Sequence, residues 1–260
     1  MRGRLSRCRA KEAHLEWPPV RWVYDEALRS HLAANLASQE RWTAPLEGRR
    51  AASVAVVVVD SNPDRHGSDP DDFGMDRLPD IPGADGRGLT GSVAGTAGGP
   101  AVLLTRRSLG LRNHAGQWAL PGGRVDDDED AVDAARRELS EELGLDLSRQ
   151  TLLGALDDYP TRSGYVISPF VFWGGADPAL APAAAEVHSV YRVSFAELSR
   201  TDSPRFVTIP ESDRPVIQMP VGADLIHAPT GAVLLQFRRV AIEGTYERVA
   251  DYEQPVFAWR

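Results

Sequence analysis

Cysteine is almost absent. Cys8 stands alone among 260 residues, so no intramolecular disulfide can form. A chain without disulfides suits a reducing compartment, and a cytoplasmic location is the expectation. Lysine is nearly absent too: Lys11 is the single one, and every other cationic side chain is arginine. There is no basic excess, with 29 basic residues against 37 acidic and a net charge of −8. That argues against a groove that neutralises the phosphates of a nucleic acid. A long apolar run is missing as well. The longest, over 51–59, is broken by Ser53, whereas a membrane span needs about 20 apolar residues, so no membrane association is expected. The first residues, MRGRLSRCRAK, are basic but lead into no apolar stretch; they read as a disordered start and not as a secretory signal.

What is present is ordinary for a globular chain: 42% hydrophobic and 25% charged residues. The length allows one large domain or two small ones, with enough core to fold without disulfides or metals. Residues 24–41 have helical spacing, with Ala27, Leu28, His31, Leu32, Leu36 and Ala37 recurring on one side. Residues 51–59 form a β-branched run that fits a buried central strand. Between 61 and 100 the chain turns rich in Gly, Pro, Asp and Ser and reads as a long flexible insertion. Strands are expected at 101–105, 117–120, 151–156, 166–173 and 187–193. Helices are expected at 129–143, 195–198 and 229–239, and 255–259 is a strand or a docked tail. The expected organisation is an N-terminal extension over 1–50, one main domain over 51–245 interrupted by the insertion, and a tail over 246–260. Strands and helices alternate without a regular βαβ rhythm, which predicts an α/β fold with a mixed sheet and helices against it.

The chemistry is concentrated in GRVDDDEDAVDAARRELSEELGL, residues 123–145. On a helix, Glu138 lies three residues from Glu141 and four from Glu142, so the three carboxylates share a face. Like charges so placed repel, and a hard divalent cation with oxygen ligands is the simplest offset. A solvated acidic face is the plain alternative. Against it, Ala131, Val132, Ala134, Ala135, Leu139 and Leu143 anchor the opposite side and hold the carboxylates toward one place. Asp126, Asp127 and Asp128 are candidate N-caps, Gly144 sits where a left-handed C-cap belongs, and the glycine pair at Gly122 and Gly123 lets backbone approach a ligand closely.

Gly123, Glu129, Arg137, Glu138, Leu139, Glu141, Glu142, Gly144 and Leu145 stand at the positions of the Nudix box, with no departure. At roughly 7% usage each, seven fixed matches arise by chance about once in 10⁸ windows. The chain therefore resembles Nudix hydrolases. The resemblance implies an α/β/α sandwich with a mixed β-sheet and hydrolysis of a nucleoside diphosphate linked to another group. It implies that Glu138, Glu141 and Glu142 ligate Mg²⁺ or Mn²⁺, that Arg137 orients them through charge-assisted hydrogen bonds, and that Glu129 and Gly123 shape the loop and helix start. Glu186 falls where some members of the family place a general base; an exposed loop carboxylate is the alternative.

Upstream, residues 103–123 read LLTRRSLGLRNHAGQWALPGG. Leu103, Leu104, Thr105, Arg107, Ser108, Arg112, Gly116, Pro121, Gly122 and Gly123 are similar to the signature of the coenzyme A diphosphatase subfamily, while Leu120 stands where that subfamily prefers Phe. The segment LDDYPTRSGYVISPFV, residues 156–171, also resembles it. This implies coenzyme A or an acyl-CoA as substrate, with Arg107 and Arg112 binding it. Arg106 reads as a solvated strand residue, and His114 as either a phosphate contact or a structural hydrogen-bonding group. Trp118 reads as core, and His188 and His227 as structural. Other nucleoside diphosphate derivatives (ADP-ribose, NADH, a nucleoside triphosphate) are the alternative substrates. A catalytically silent nucleotide sensor of the same fold is the alternative of a different class; such domains typically lose glutamates from the box, and all are present here. Homodimers are common in the family, and a homodimer is carried as an expectation, with no segment marking the interface.

Overall fold

A computed structural model describes residues 22–62, 64–66, 98–111, 114–222 and 224–258. The expected disordered start, Arg112 and nearly all of the expected insertion lie outside the described residues. The edges of that insertion are narrower than the sequence suggests. Strand β1 (Arg50–Ser61) runs to Ser61, and β2 (Gly99–Arg107) begins at Gly99.

The run of valines in β1 is buried on both faces because the strand is central and its side chains alternate. Val56 and Val58 enter one core, and Val57 and Val59 enter the other. β1 pairs antiparallel with β2 and parallel with β7 (Tyr165–Gly175), so the sheet is mixed as expected. Its order is β3 (Trp118–Ala119), β2, β1, β7, β5 (Leu152–Ala155); β4 (Gly122–Arg124) adds to β1, β6 (Tyr159–Pro160) to β7 and β8 (Val187–Ser194) to β2. Helix α2 (Ala131–Leu143) covers one face. Its Leu139 and Leu143 are fully buried against Val57 and Val59, each contributing about 1.5–3 kcal/mol to the docking. Asp130 caps the helix by accepting from the amides of Val132 and Asp133. The cap is therefore not one of the three preceding aspartates; of those, the Asp126 amide donates to Glu129 at 3.0 Å instead. Gly144 closes the helix in the left-handed region at φ 64°, as expected.

Helix α1 (Glu26–Ser38) packs Leu28, Leu32 and Leu36 into the core of the other face. It is shorter than its apolar spacing suggests, because the Asp25 carboxylate caps it at the Leu28 amide and Gln39 is extended. The short helix α3 (Phe195–Leu198) follows β8, and α4 (Thr230–Gln236) runs on into a wider π-type turn over Phe237–Ile242. With them on this face lies a second, antiparallel sheet of β9 (Arg205–Ile209), β10 (Ser212–Val221) and β11 (Asp224–His227). The sequence reading predicts no strand between 205 and 227. Pro215 and Pro220 interrupt β10 and mask it, since proline withdraws a ladder donor, and β11 has only four residues. The terminal segment is a docked 3₁₀ turn, Val256–Ala258, and not a strand.

Glu253 ties that segment down. It is fully buried and accepts from Arg162 (2.6 Å), Arg214 (3.0 Å) and the Gln254 amide (2.9 Å). Burial pushes its carboxyl up, but the hydrogen bonds from Arg162, Ser212, Gln254 and Arg214 outweigh that and hold it at about 2. A carboxyl depressed in the folded state stabilises above its ordinary value near 4.5 and ceases to do so as pH falls toward 2. Glu253→Gln is expected to cost about 2 kcal/mol at neutral pH, and the gap in Tm between variant and parent should close on acidification across that window. A gap that does not change with pH would show that the carboxylate is not held ionised.

Candidate active site

The site is built where β4 passes the C-terminal half of α2, with Gly123 against Glu138 and the Gly122 amide on Glu142. Gly122 and Gly123 are both required by close approach. A Cβ on Gly122 would lie 2.7 Å from Val54 Cα, and one on Gly123 would run into the Glu138 carboxylate. Backbone and carboxylate are thus stacked without an intervening side chain. Glu138 is mostly buried, with 15% of its side chain exposed. Burial pushes its carboxyl up and Arg137 pulls it back down. Glu142 is 5% exposed. Burial holds its carboxyl up at about 8, with the charges of Glu138 and Glu186 adding to the push; Arg107 and the Gly122 amide act against it. Glu141, the third carboxylate of the face, points outward with 58% of its side chain exposed and accepts from Arg137 at 3.3 Å.

Arg137 gathers the box. It donates to Glu129 (2.7 Å), Glu138 (2.8 Å), Glu141 and the carbonyl of Arg124 (3.0 Å). Glu129, held below the usual carboxylate range by that contact, in turn accepts the Asp126 amide and closes the loop before the helix. Glu186 is brought in by the 176–186 loop. The amides of Ala181 and Ala183 donate to the carbonyls of Leu143 and Glu142, and the Glu186 carbonyl accepts the Ser108 amide. Glu186 is exposed at that point, and its charge is felt by both Glu138 and Glu142.

Among the described residues no three acidic, histidine or cysteine side chains are gathered tightly enough to cage a metal on their own. The donor set still suits a hard divalent cation. Glu142 is buried beside Glu138, repelled by it and by Glu186, and its side chain has no cationic hydrogen-bond partner.

The strand register sorts the two adjacent arginines. Val102 and Leu104 face the core on the α1 side, and Arg106 follows them; Ala101 and Leu103 face α2, and Arg107 follows those, across a register shift at Arg106 and Arg107. Arg107 accordingly acts on Glu142. Arg106 is not the solvated residue the sequence suggests: it is 8% exposed, ion-paired to Asp224, bonded to the Gly116 carbonyl (3.0 Å) and stacked over Trp118 at 4.0 Å. Its partner is 118 positions away on β11, so no local signal marks it. Trp118 is buried as expected and donates to Asp224 at 2.8 Å.

A cleft of about 660 Å³ opens beside this site. Arg107, Gly122 and Gly123 border it, together with His114, Arg124 and Tyr165. His114 pairs with Gln117 at 3.1 Å. Another part of the lining comes from Leu225, His227, Pro229 and Phe257. His227 packs edge-on against Phe257, and burial holds its imidazole down at about 4, so it is neutral at ordinary pH. These C-terminal residues carry no motif, and the sequence reading passes over all of them except His227. His188 lies on β8 outside the cleft lining and is exposed.

Residues 91–211, which include the whole box and its glycine turn, match the NUDIX domain family. That stretch of the chain is similar to Nudix domains. The uncharacterized Nudix hydrolase NudL of Escherichia coli K12 is 39% identical over 99 residues, which is 38% of this chain and 52% of NudL; the chain spans about half the length of the curated relatives it matches. Among solved structures, the Nudix hydrolase RenU of M. smegmatis is 15% identical, with a TM-score of 0.41 over 80% of this chain and 91% of that one. A MutT/nudix family protein of Enterococcus faecalis is 17% identical, with a TM-score of 0.44 over 81% of this chain and 71% of that one. Among the described residues no helix is long and apolar enough to cross a membrane. The C-terminal lining of the cleft, from Leu225 onward, lies beyond the residues that match the family.

Proposed function

We propose that this chain is a Nudix-type divalent-metal-dependent pyrophosphohydrolase. We propose further that it cleaves coenzyme A, or an acyl-CoA, to 3′,5′-ADP and 4′-phosphopantetheine or its acyl form. The observation that carries the hydrolase reading is the buried Glu142 held against Glu138 under a side-chain-free Gly122–Gly123 turn at the edge of the cleft. Mg²⁺ or Mn²⁺ bound there supplies charge neutralisation of the pyrophosphate and activation of water. Glu138 and Glu142 hold the cation, and Arg137 fixes the Glu138 carboxylate at 2.8 Å. Arg107, on the same face as Glu142, takes a phosphate oxygen. Glu186 accepts the proton of the attacking water; its exposure and its electrostatic influence on both glutamates support that role.

The coenzyme A reading rests on the 103–123 signature and on the character of the cleft. The part of its lining formed by Leu225, Pro229, neutral His227 and Phe257 is uncharged and suits a pantetheine arm. The subfamily's Phe position is held by Leu120, which is buried (5% exposed) and so bears on packing and not on ligand contact. The test is incubation with coenzyme A, acetyl-CoA, ADP-ribose, NADH and dGTP under Mg²⁺ or Mn²⁺, read by chromatography. The expected result is fastest loss of a CoA species with release of 3′,5′-ADP. Turnover of another substrate with coenzyme A untouched leaves the hydrolase and removes the substrate assignment. No turnover of any of them removes both.

A further inference from the structure

Arginine in this protein is almost always ion-paired. Among the described residues every arginine has a carboxylate within ion-pairing distance except Arg50, Arg107 and Arg124. In a chain with an acidic surplus, leaving three arginines without such a partner is a selective arrangement, and all three fall in or beside the cleft. Arg107 belongs to the catalytic face already described. The other two converge elsewhere.

Strand register places them. β4 pairs with β1 so that Arg124 lies opposite Ala52, and β1 pairs with β7 so that Ala52 lies opposite Ile167 and Arg50 opposite Tyr165. Residues in one row, or two apart on one strand, share a face. Arg50, Arg124 and Tyr165 therefore stand on one face of the sheet. The neighbouring row, Gly123, Ser53 and Ser168, faces α2, where Gly123 abuts Glu138 and Ser53 bonds the Ala131 carbonyl. The nearby guanidinium groups of Arg124 and Arg50 hold the Tyr165 phenol below its ordinary value. Arg124 also lies over the Tyr165 ring, 5.9 Å from its centroid. Thr161 and Ser163 line the cleft beside them, the Ser163 hydroxyl donating to Thr161 and the Thr161 hydroxyl to the Tyr165 carbonyl.

Arg50 and Arg124 stand on the opposite face of β4 and β1 from the row that abuts Glu138, so an anion held by them would be a different group from the pyrophosphate at Glu138 and Glu142. A substrate that engages both must carry a second anionic group beyond the scissile linkage. We infer that Arg50, Arg124 and Tyr165 form a subsite for a phosphomonoester on the adenosine ribose of the substrate, separate from the pyrophosphate site. The inference deepens the coenzyme A reading, whose 3′-phosphate is such a group, and it does not need the catalytic carboxylates. A planar guanidinium fork matches phosphate geometry bidentately, and two of them give a strong charge-assisted site.

The test is calorimetric titration of the full chain, without divalent metal, with 5′-AMP, 3′,5′-ADP and 2′,5′-ADP. The parent protein is expected to bind 3′,5′-ADP about tenfold or more tightly than 5′-AMP. The Arg50→Gln/Arg124→Gln double variant should bind the two alike, with each single variant losing part of the preference. Both positions are exposed, so the variants should fold, and unchanged circular dichroism verifies that. Preference for 2′,5′-ADP upholds the subsite and moves the substrate to a 2′-phosphorylated dinucleotide. Equal binding of all three by the parent, or a preference that survives in the double variant, overturns the inference. Because the titration needs no turnover, a chain that prefers 3′,5′-ADP yet leaves coenzyme A intact keeps the subsite and loses the substrate. A chain that cleaves coenzyme A yet binds the three alike loses only the subsite.

Discussion

Glu142→Gln is expected to reduce kcat on the order of 10³-fold, the scale on which a single preorganised charge-stabilising group acts, while leaving the fold intact. The amide has the volume of the carboxylate and can still accept the Gly122 amide, so packing against α2 and β4 is kept. What is lost is the negative charge that, with Glu138, holds the divalent cation. Stability separates this from a merely structural role. In the absence of metal, burial and the charges of Glu138 and Glu186 make the ionised Glu142 unfavourable, which is why its carboxyl is held up at about 8. A neutral amide removes that repulsion. The variant measured in a chelator should therefore have a Tm equal to or above that of the parent, and it should lose most of the rise in Tm that the parent shows on adding Mg²⁺ or Mn²⁺. Activity within a few-fold of the parent would remove Glu142 from the metal site. A lowered Tm in chelator would make its role packing.

The box was legible because its logic is local. Glu138 and Glu142 stand one turn apart, Arg137 is adjacent, and the apolar positions that anchor α2 recur within thirteen residues. The valine run of β1 was equally plain, since a strand buried on both faces has no polar alternation to confuse it. The same uniformity hid the sorting of Arg106 and Arg107. Consecutive arginines at the end of a strand buried along its length carry no mark of which face each takes until β1 and β8 are paired with it. The second sheet was illegible for a different reason. Prolines in β10 and the brevity of β11 suppress the strand signal, and its stability comes from packing Ile217, Met219, Val221 and Ile226 into a core shared with α4. The cleft wall from Leu225 to Phe257 could not be foreseen without that sheet. The N-cap was missed by two residues because four acidic side chains from Asp126 to Glu129 precede the one that caps.

Asp224→Ala tests the join between the main sheet and this second sheet, and a loss of about 3–5 kcal/mol is expected. Asp224 accepts from Arg106 and from the Trp118 indole (2.8 Å) through one oxygen and from the Leu225 amide (2.7 Å) through the other. Both ion-pair partners keep only 9% of their side chains exposed. Truncation leaves a guanidinium buried over Trp118 with one carbonyl partner, Gly116, and an indole N–H with none. The cost is that of an uncompensated buried charge and exceeds the net worth of the pair. For a chain of this length the fall in Tm should be on the order of 10 °C. The effect must also reach the cleft, since Asp224 lies on the strand that brings Leu225 and His227 to its lining; KM should rise with kcat less affected. Arg106→Met/Asp224→Leu, which removes both charges at once, should be far less destabilised than the sum of the single variants, a coupling of about 0.5–3 kcal/mol that a double-mutant cycle reads directly. Additive losses, or a cost for Asp224→Ala below about 1 kcal/mol, would mean that Arg106 is hydrated after all, as its place in the sequence had suggested. The second sheet would then be held to the first by its apolar contacts alone.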